Sequence, residues 1–259
     1  MGLRISDLVL ECTRRCNMKC EHCMRGCSQS LDMSYGTLRK TLRQIDSISC
    51  LTVTGGEPSL KPDFFKDLYD LIRDFRIDVQ YFYVVTNAKS TYRRQEFIEH
   101  LNNLYEWCDE KDMCSLVVSQ DQFHNRLREP NFKYYETGWG DELPYFRKEE
   151  RRETIYEPIN EGYSESNGIG VRDPKPQEKW EVYKWDNDSD LQVAEGIVYI
   201  SVNGNITSQC DMSYHRIDKE AQGNIHHEYM LLEDVILNYS IKYFEDKEVA
   251  TFDIEEEAA

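Results

Sequence analysis

The sequence predicts an α/β protein built on a parallel sheet with helices packed outside it. Three observations carry that prediction. Apolar runs of strand length alternate with segments of helical spacing from residue 6 to residue 119. A glycine, proline or polar break follows most of these runs. Asn203-Gly204 then separates two further apolar runs, and both residue types tolerate the positive φ that a two-residue hairpin needs.

Taken in order, residues 6–11 read as a first strand, and the stretch to Ser30 has no periodicity. Ser34 is a fitting N-cap for a helix to about Ile48, with Leu38, Leu42 and Ile45 on one face. Leu51 and Val53 mark a buried strand that Gly55-Gly56-Glu57-Pro58 ends. Pro62 opens a second helix whose apolar side is Phe64, Phe65, Leu68, Leu71, Ile72 and Phe75. Strands over 79–85 and 114–119 flank a third helix over 93–107. A charged helix near 145–157 and turn-rich stretches at 162–170 and 174–176 follow, where the sheet is expected to be completed. Strands over 197–202 and 206–208 form the hairpin, and Met230, Leu231, Val235, Ile236 and Ile241 mark a C-terminal amphipathic helix.

At 259 residues the chain is long enough to bury a full core. No apolar run approaches the roughly 20 residues of a membrane-spanning helix. The N-terminus has Asp7 and Glu11 in its short apolar stretch and no small-residue cleavage site, so the chain is expected in the cytoplasm. Its net charge is -17, and the excess is lopsided: residues 1–140 hold 19 Lys/Arg against 20 Asp/Glu, residues 141–259 hold 12 against 28. Such a surface repels phosphate backbones and disfavours a nucleic-acid partner. The acidic run at the end reads equally well as a solvated tail.

Five of the nine cysteines lie between Cys12 and Cys27. In a reducing compartment this crowding points to metal or radical chemistry and not to disulfides. Cys16, Cys20 and Cys23 read CxxxCxxC directly after the first strand. Three thiolates on an iron-sulfur cubane leave one iron without a protein ligand, and an open metal position is where chemistry occurs. The residues alone leave open a zinc site, or a four-cysteine electron-transfer cluster that uses Cys12 or Cys27.

The CxxxCxxC spacing and its place after the first strand resemble the radical S-adenosylmethionine superfamily. That resemblance implies a partial (β/α)6 TIM-like barrel over residues 1–190. It makes Cys16, Cys20 and Cys23 the ligands of a 4Fe-4S cluster whose open iron chelates S-adenosyl-L-methionine. An electron donor such as flavodoxin or ferredoxin would serve that cluster. His22 stands where the family usually has an aromatic residue against the adenine; this is a departure, but the resemblance still assigns it to cofactor binding, where its ring could stack in the same way.

Gly55, Gly56, Glu57 and Pro58 match the family's GGEP element at the C-terminal mouth of the second strand, where barrel enzymes build their sites. There the glycines allow close backbone approach and Glu57 would accept from the cofactor's ammonium. Asn87, Ser119 and Asp121, at the ends of the third and fourth strands, are assigned by the same resemblance to cofactor or substrate binding, against turn or helix-cap roles. His124 and the aromatic residues between Phe132 and Phe146 could line a channel or pack in the core.

Residues 191–259, a β-hairpin plus helix extension with an acidic tail, resemble a reduced SPASM or twitch region. Its relatives that modify peptides carry auxiliary clusters there, and this chain has only Cys210. Cys210 therefore reads as a buried small residue, a lone ligand or a hydrogen-atom donor, a role its weak S–H bond suits. A peptide or protein substrate is the leading expectation. A nucleoside or small-molecule substrate, and a non-catalytic iron-sulfur carrier, are the alternatives. His226-His227 is expected on the surface.

Overall fold

The computed structural model describes residues 2–89, 93–119, 123, 157–185, 191–228 and 230–245. The expected helix near 145–157, Asp121, His124 and the aromatic residues between Phe132 and Phe146 lie outside them.

The strands join one sheet. In chain order its first strands and their helices are β1 (Leu3–Thr13), α1 (Tyr35–Leu42), β2 (Ile45–Gly55), α2 (Pro62–Phe75), β3 (Asp78–Thr86), α3 (Arg94–Trp107) and β4 (Ser115–Val118). The short helix α4 (Gly162–Ser166) precedes β5 (Trp180–Trp185), β6 (Leu191–Ile200) and β7 (Asn205–Thr207). Helix α5 (Tyr214–Lys219), β8 (Gly223–Asn224), α6 (Leu232–Asn238) and β9 (Ser240–Glu245) complete the series. The sheet order is β4-β3-β2-β1-β6-β5-β9, with β7 on β6 and β8 on β7. Strands β1, β2, β3, β4 and β6 run parallel, so their C-terminal ends share one edge. Strand β5 is antiparallel to β6. Among the described residues the outer strands β4 and β9 do not pair with each other, and no helix is long and apolar enough to cross a membrane.

The alternation expected over residues 6–119 is the alternation observed. Helices α4 and α5, strands β5 and β8 and the start of β6 at Leu191 have no counterpart in the sequence expectation, and two expected helices end early. Helix α1 stops at Leu42, and Ile45 and Ile48 belong to β2, where they pair with Leu3 and Ile5 of β1. β-Branched residues suit a buried strand better than the end of a helix, so pairing with β1 overrides the helical spacing. The C-terminal helix is likewise cut at Asn238, and Ile241 lies in β9, which pairs with β5. The Asn203-Gly204 hairpin joins β6 to β7 with Gly204 at φ 77°.

Alternate residues of β1 serve two cores. Leu8, Leu10 and Cys12 face the main core, which includes Phe64, Phe65, Leu68 and Ile72 of α2 and Phe97 and Leu101 of α3. Phe65 and Phe97 meet edge to face at 5.0 Å. Val9, between Leu8 and Leu10, points to the other face. There it forms a second core with its cross-strand partner Tyr199 and with Met212, Tyr214 and Ile217. The segment around α5 thus covers the face of β1 and β6 that the helices α1–α3 do not.

Candidate functional site

The central position of β1 decides where the cysteine loop emerges. The loop leaves β1 at the middle of the sheet, on the shared C-terminal edge, the usual place for a site in a parallel α/β sheet. Its two ends are tied together. Arg14 N–H donates to Leu31 O at 2.8 Å, Gln29 N–H to Arg14 O at 3.0 Å, and Cys16 N–H to Ser28 Oγ at 2.9 Å.

Cys16, Cys20 and Cys23 are partly buried in this loop. The Cys23 sulfur is pushed up in pKa by burial, while the backbone N–H groups of Arg25 and Gly26, and the charge of Arg25, act in the opposite sense. Burial also raises Cys16, to about 11, against a hydrogen bond from the backbone of Met18. The three thiols are near enough to affect one another's ionisation. Among the described residues no group of three His, Cys, Asp or Glu is spaced to hold a single metal ion. A cubane instead spreads three thiolates over three irons.

The two other cysteines of the loop region are engaged elsewhere. Cys12 is fully buried in the core beneath the helices. Cys27 is exposed and its sulfur lies 3.0 Å from the Tyr163 hydroxyl. The donor set facing the sheet edge is therefore the three cysteines of CxxxCxxC, backed by N–H groups, and it fits a three-ligand iron-sulfur cluster.

The Gly55–Pro58 turn packs directly on this loop. Gly56 N–H donates to Thr13 O at 2.7 Å and Glu57 N–H to Arg15 O at 2.8 Å. A Cβ on Gly55 would lie 2.1 Å from Thr13 O, and one on Gly56 would lie 2.2 Å from Arg15 O. Both glycines are thus fixed by the approach of β2's end to the loop. Pro58 is buried and opens a single 3₁₀ turn to Leu60.

Glu57 is 1 % exposed. Its carboxylate receives Ser59 N–H at 3.1 Å and the Thr86 hydroxyl on Oε1, and Asn87 N–H at 2.7 Å on Oε2. Burial raises its pKa, and these hydrogen bonds counter the rise. The side chain so ties the end of β2 to the end of β3.

Asn87 is the bridge between that knot and the cysteines. Its side-chain amide reaches Asn17 Oδ1 at 2.9 Å and the Cys16 sulfur at 3.9 Å. Ser119 follows β4 and its N–H donates to Thr86 O at 2.9 Å, which sets it beside the same edge. His22 is 8 % exposed and stacks on Phe123 at 4.2 Å. The structure therefore brings Cys16, Cys20, Cys23, Gly55, Gly56, Glu57, Pro58, Asn87 and Ser119 to one edge.

Cys210 follows β7, beyond the hairpin. Burial pushes its thiol up to about 11, and it packs against the second core of Val9, Tyr199 and Met212. Among the described residues His226 meets Thr37 Oγ1 at 3.0 Å, so one histidine of the pair holds the N-terminal turn of α1.

Several residues of the site were not legible in advance. Arg14 is fully buried and binds Glu11, Gln29 and both carboxylate oxygens of Asp218. Arg25 is 7 % exposed and donates to Met212 O at 2.7 Å. Segment 161–167 lies against the cysteine loop, with Tyr163 N–H on Cys23 O and Asn167 on Glu21 O, both at 2.9 Å. Only the glycine at 162, one of several in a turn-rich stretch, hinted at a close approach.

Neither a protein-family model nor a curated protein sequence matches this chain. Solved structures do. The Streptococcus suis SuiB bound to precursor peptide SuiA is 18 % identical over 46 % of this chain, with a TM-score of 0.32, and the matched part is 25 % of that chain. SuiB in a second structure is 12 % identical over 80 % of this chain and 60 % of its own length, with a TM-score of 0.36. The chain is also similar to native anSMEcpe with bound AdoMet and Cp18Cys peptide, at 13 % identity over 92 % of this chain and 82 % of that chain, with a TM-score of 0.48.

Proposed function

We propose that this chain is a radical S-adenosylmethionine enzyme that acts on a peptide or protein, with residues 1–190 forming a partial barrel and residues 191–259 a SPASM-like extension without a cluster of its own. The observation that carries the reading is the meeting of Cys16, Cys20 and Cys23 with the Gly55–Pro58 turn and Asn87 at one sheet edge. When bound, a 4Fe-4S cluster on these three cysteines supplies the electron that cleaves S-adenosyl-L-methionine to methionine and a 5′-deoxyadenosyl radical.

The chain's own residues prepare that site. Glu57 fixes the ends of β2 and β3 against each other, and Gly55 and Gly56 bring that corner onto the loop. In this reading the turn offers backbone groups to the cofactor's amino-acid end, because the Glu57 carboxylate already accepts three donors. Asn87 and Ser119, with Asp121, supply polar contacts. The His22 ring, stacked on Phe123, offers a flat surface for the adenine. Partial burial of Cys16 and Cys23 lowers the exposure of the sulfurs to water. Cys210 keeps its proton at neutral pH and serves as hydrogen-atom donor to a substrate radical; the resulting thiyl radical regains an electron from a flavodoxin- or ferredoxin-type donor and a proton from water. The acidic C-terminal half favours a basic or neutral peptide over a nucleic acid.

Anaerobic reconstitution with iron and sulfide, iron counting and an assay for 5′-deoxyadenosine test the proposal. The native chain should take up about four irons per cubane and form 5′-deoxyadenosine under reduction. A variant with Ala at 16, 20 and 23 should do neither. Retained cleavage in that variant would overturn the assignment.

A further inference from the structure

Arg25 lies two residues past Cys23, and both ends of it are held by the segment that follows the hairpin. Its backbone carbonyl accepts Tyr214 N–H at 3.2 Å. Its Nη1 donates to Met212 O at 2.7 Å, and its guanidinium lies 5.5 Å from the centre of the Tyr199 ring. Met212 and Tyr199 are fully buried and Tyr214 nearly so. A guanidinium cannot lose its proton in such a place, so a fixed positive charge sits inside the protein beside the cysteine loop.

The turn that follows Cys23 is closed by Gly26 N–H on Cys23 O at 3.3 Å, and the backbone N–H groups of Arg25 and Gly26 favour the Cys23 thiolate. Pinning Arg25 at both ends therefore pins the two N–H groups that face one cluster ligand. Arg14 makes the matching tie at the loop's other end, through Asp218 of α5 at 2.7 and 2.8 Å and the Tyr214 ring at 4.6 Å. The extension thus grips the cysteine loop from both sides, although its own lone cysteine gives it no cluster to hold.

We infer that Arg25 is a positioning residue through which the C-terminal extension sets the geometry and the reduction potential of the cluster on Cys16, Cys20 and Cys23. The inference rests on the function proposed above. Two effects act in one direction. Hydrogen bonds to a ligand sulfur and a nearby buried cation both favour the more negative, reduced cluster, so both raise its potential. Arg25→Gln removes the charge and the guanidinium's bond to Met212 O. Arg25→Lys keeps the charge and loses the planar guanidinium's fixed geometry.

Two measurements on the full chain test this. The first is hydrogen exchange of residues 16–26 in metal-free protein, where loss of a buried charged hydrogen bond should speed exchange about tenfold in Arg25→Gln. The second is spectroelectrochemical titration of the reconstituted cluster. There Arg25→Gln should shift to a more negative midpoint, and Arg25→Lys, which restores the charge but not the fixed loop, should fall between that value and wild type while its loop exchange stays raised. A folded Arg25→Gln protein with wild-type exchange, or a loaded one with the wild-type midpoint, overturns the inference. If Arg25→Gln does not fold, wild-type exchange in Arg25→Lys overturns it instead. Should the native chain take up no iron, the proposed function falls, and the exchange experiment still decides whether Arg25 holds the loop.

Discussion

Asn87 N–H donates to Glu57 Oε2 at 2.7 Å, so the carboxylate closing the Gly55–Pro58 turn also caps the third strand. Ser59 N–H and the Thr86 hydroxyl take its other oxygen. Glu57→Ala would leave two buried N–H groups without their partner. The expected cost is on the order of 3 kcal/mol, measured by denaturant unfolding of the metal-free chain. Glu57→Gln keeps one acceptor and should cost less. An unchanged unfolding midpoint in Glu57→Ala would mean that the carboxylate is not a structural knot.

Gly162 and Gly168 give a matched pair. Both have positive φ, at 61° and 66°. A Cβ at 162 would lie 2.4 Å from Met24 O and 2.7 Å from Gly26 N, whereas nothing lies within 4 Å of one at 168. Gly168→Ala should therefore cost only the backbone term, about 1 kcal/mol. Gly162→Ala must in addition push segment 161–167 off the cysteine loop. Iron uptake should fall in Gly162→Ala and hold in Gly168→Ala at equal folded fraction; equal uptake would refute the contact's role.

The alternation of strands and helices was legible because each element is long enough to show its period, as with the apolar side of α2. The cysteine spacing and the Gly55–Pro58 turn were legible because their residue types permit few other uses so close together. What escaped were roles set by distant partners. Arg14 and Arg25 look like solvated charges in a polar loop, and only the fold carries Asp218 and Met212 to them. Glu57 reads as an acceptor for a cation, and its tie to the ends of β2 and β3 shows only in the fold. Ile45 and Ile48 continue a helical spacing but have partners waiting on β1.

The Arg14–Asp218 pair should make stability depend on acid. Burial opposes ionisation of Asp218, but its bonds to Arg14 outweigh that and hold its pKa below the usual carboxylate range. A depressed folded pKa contributes stability above the unfolded value near 3.8, and that contribution disappears as pH falls through the folded value. Asp218→Asn should therefore melt below wild type at pH 7, and the gap should close as the pH is lowered past about 4. A gap that persists at pH 2 would place the effect in packing instead of charge.

Thiol alkylation of the metal-free chain separates the cysteines by environment. Cys27 is exposed and should react first, although Tyr163 shares its sulfur. Cys12, Cys108 and Cys114 are at most 3 % exposed and should react only on unfolding. Cys210 lies between these limits. Burial holds its pKa up at about 11, beside the opposing charges of Asp211 and Arg25. Below that value the thiolate fraction rises tenfold per pH unit, so iodoacetamide labelling of Cys210 should quicken about tenfold from pH 8 to pH 9. The protonated state is what a hydrogen-atom donor requires, since a thiolate has no S–H hydrogen to give. Mass spectrometry of the labelled peptides reads every cysteine at once. Labelling of Cys210 at pH 7 as fast as that of Cys27 would remove the basis for its donor role, and Cys210→Ala should in any case still cleave the cofactor.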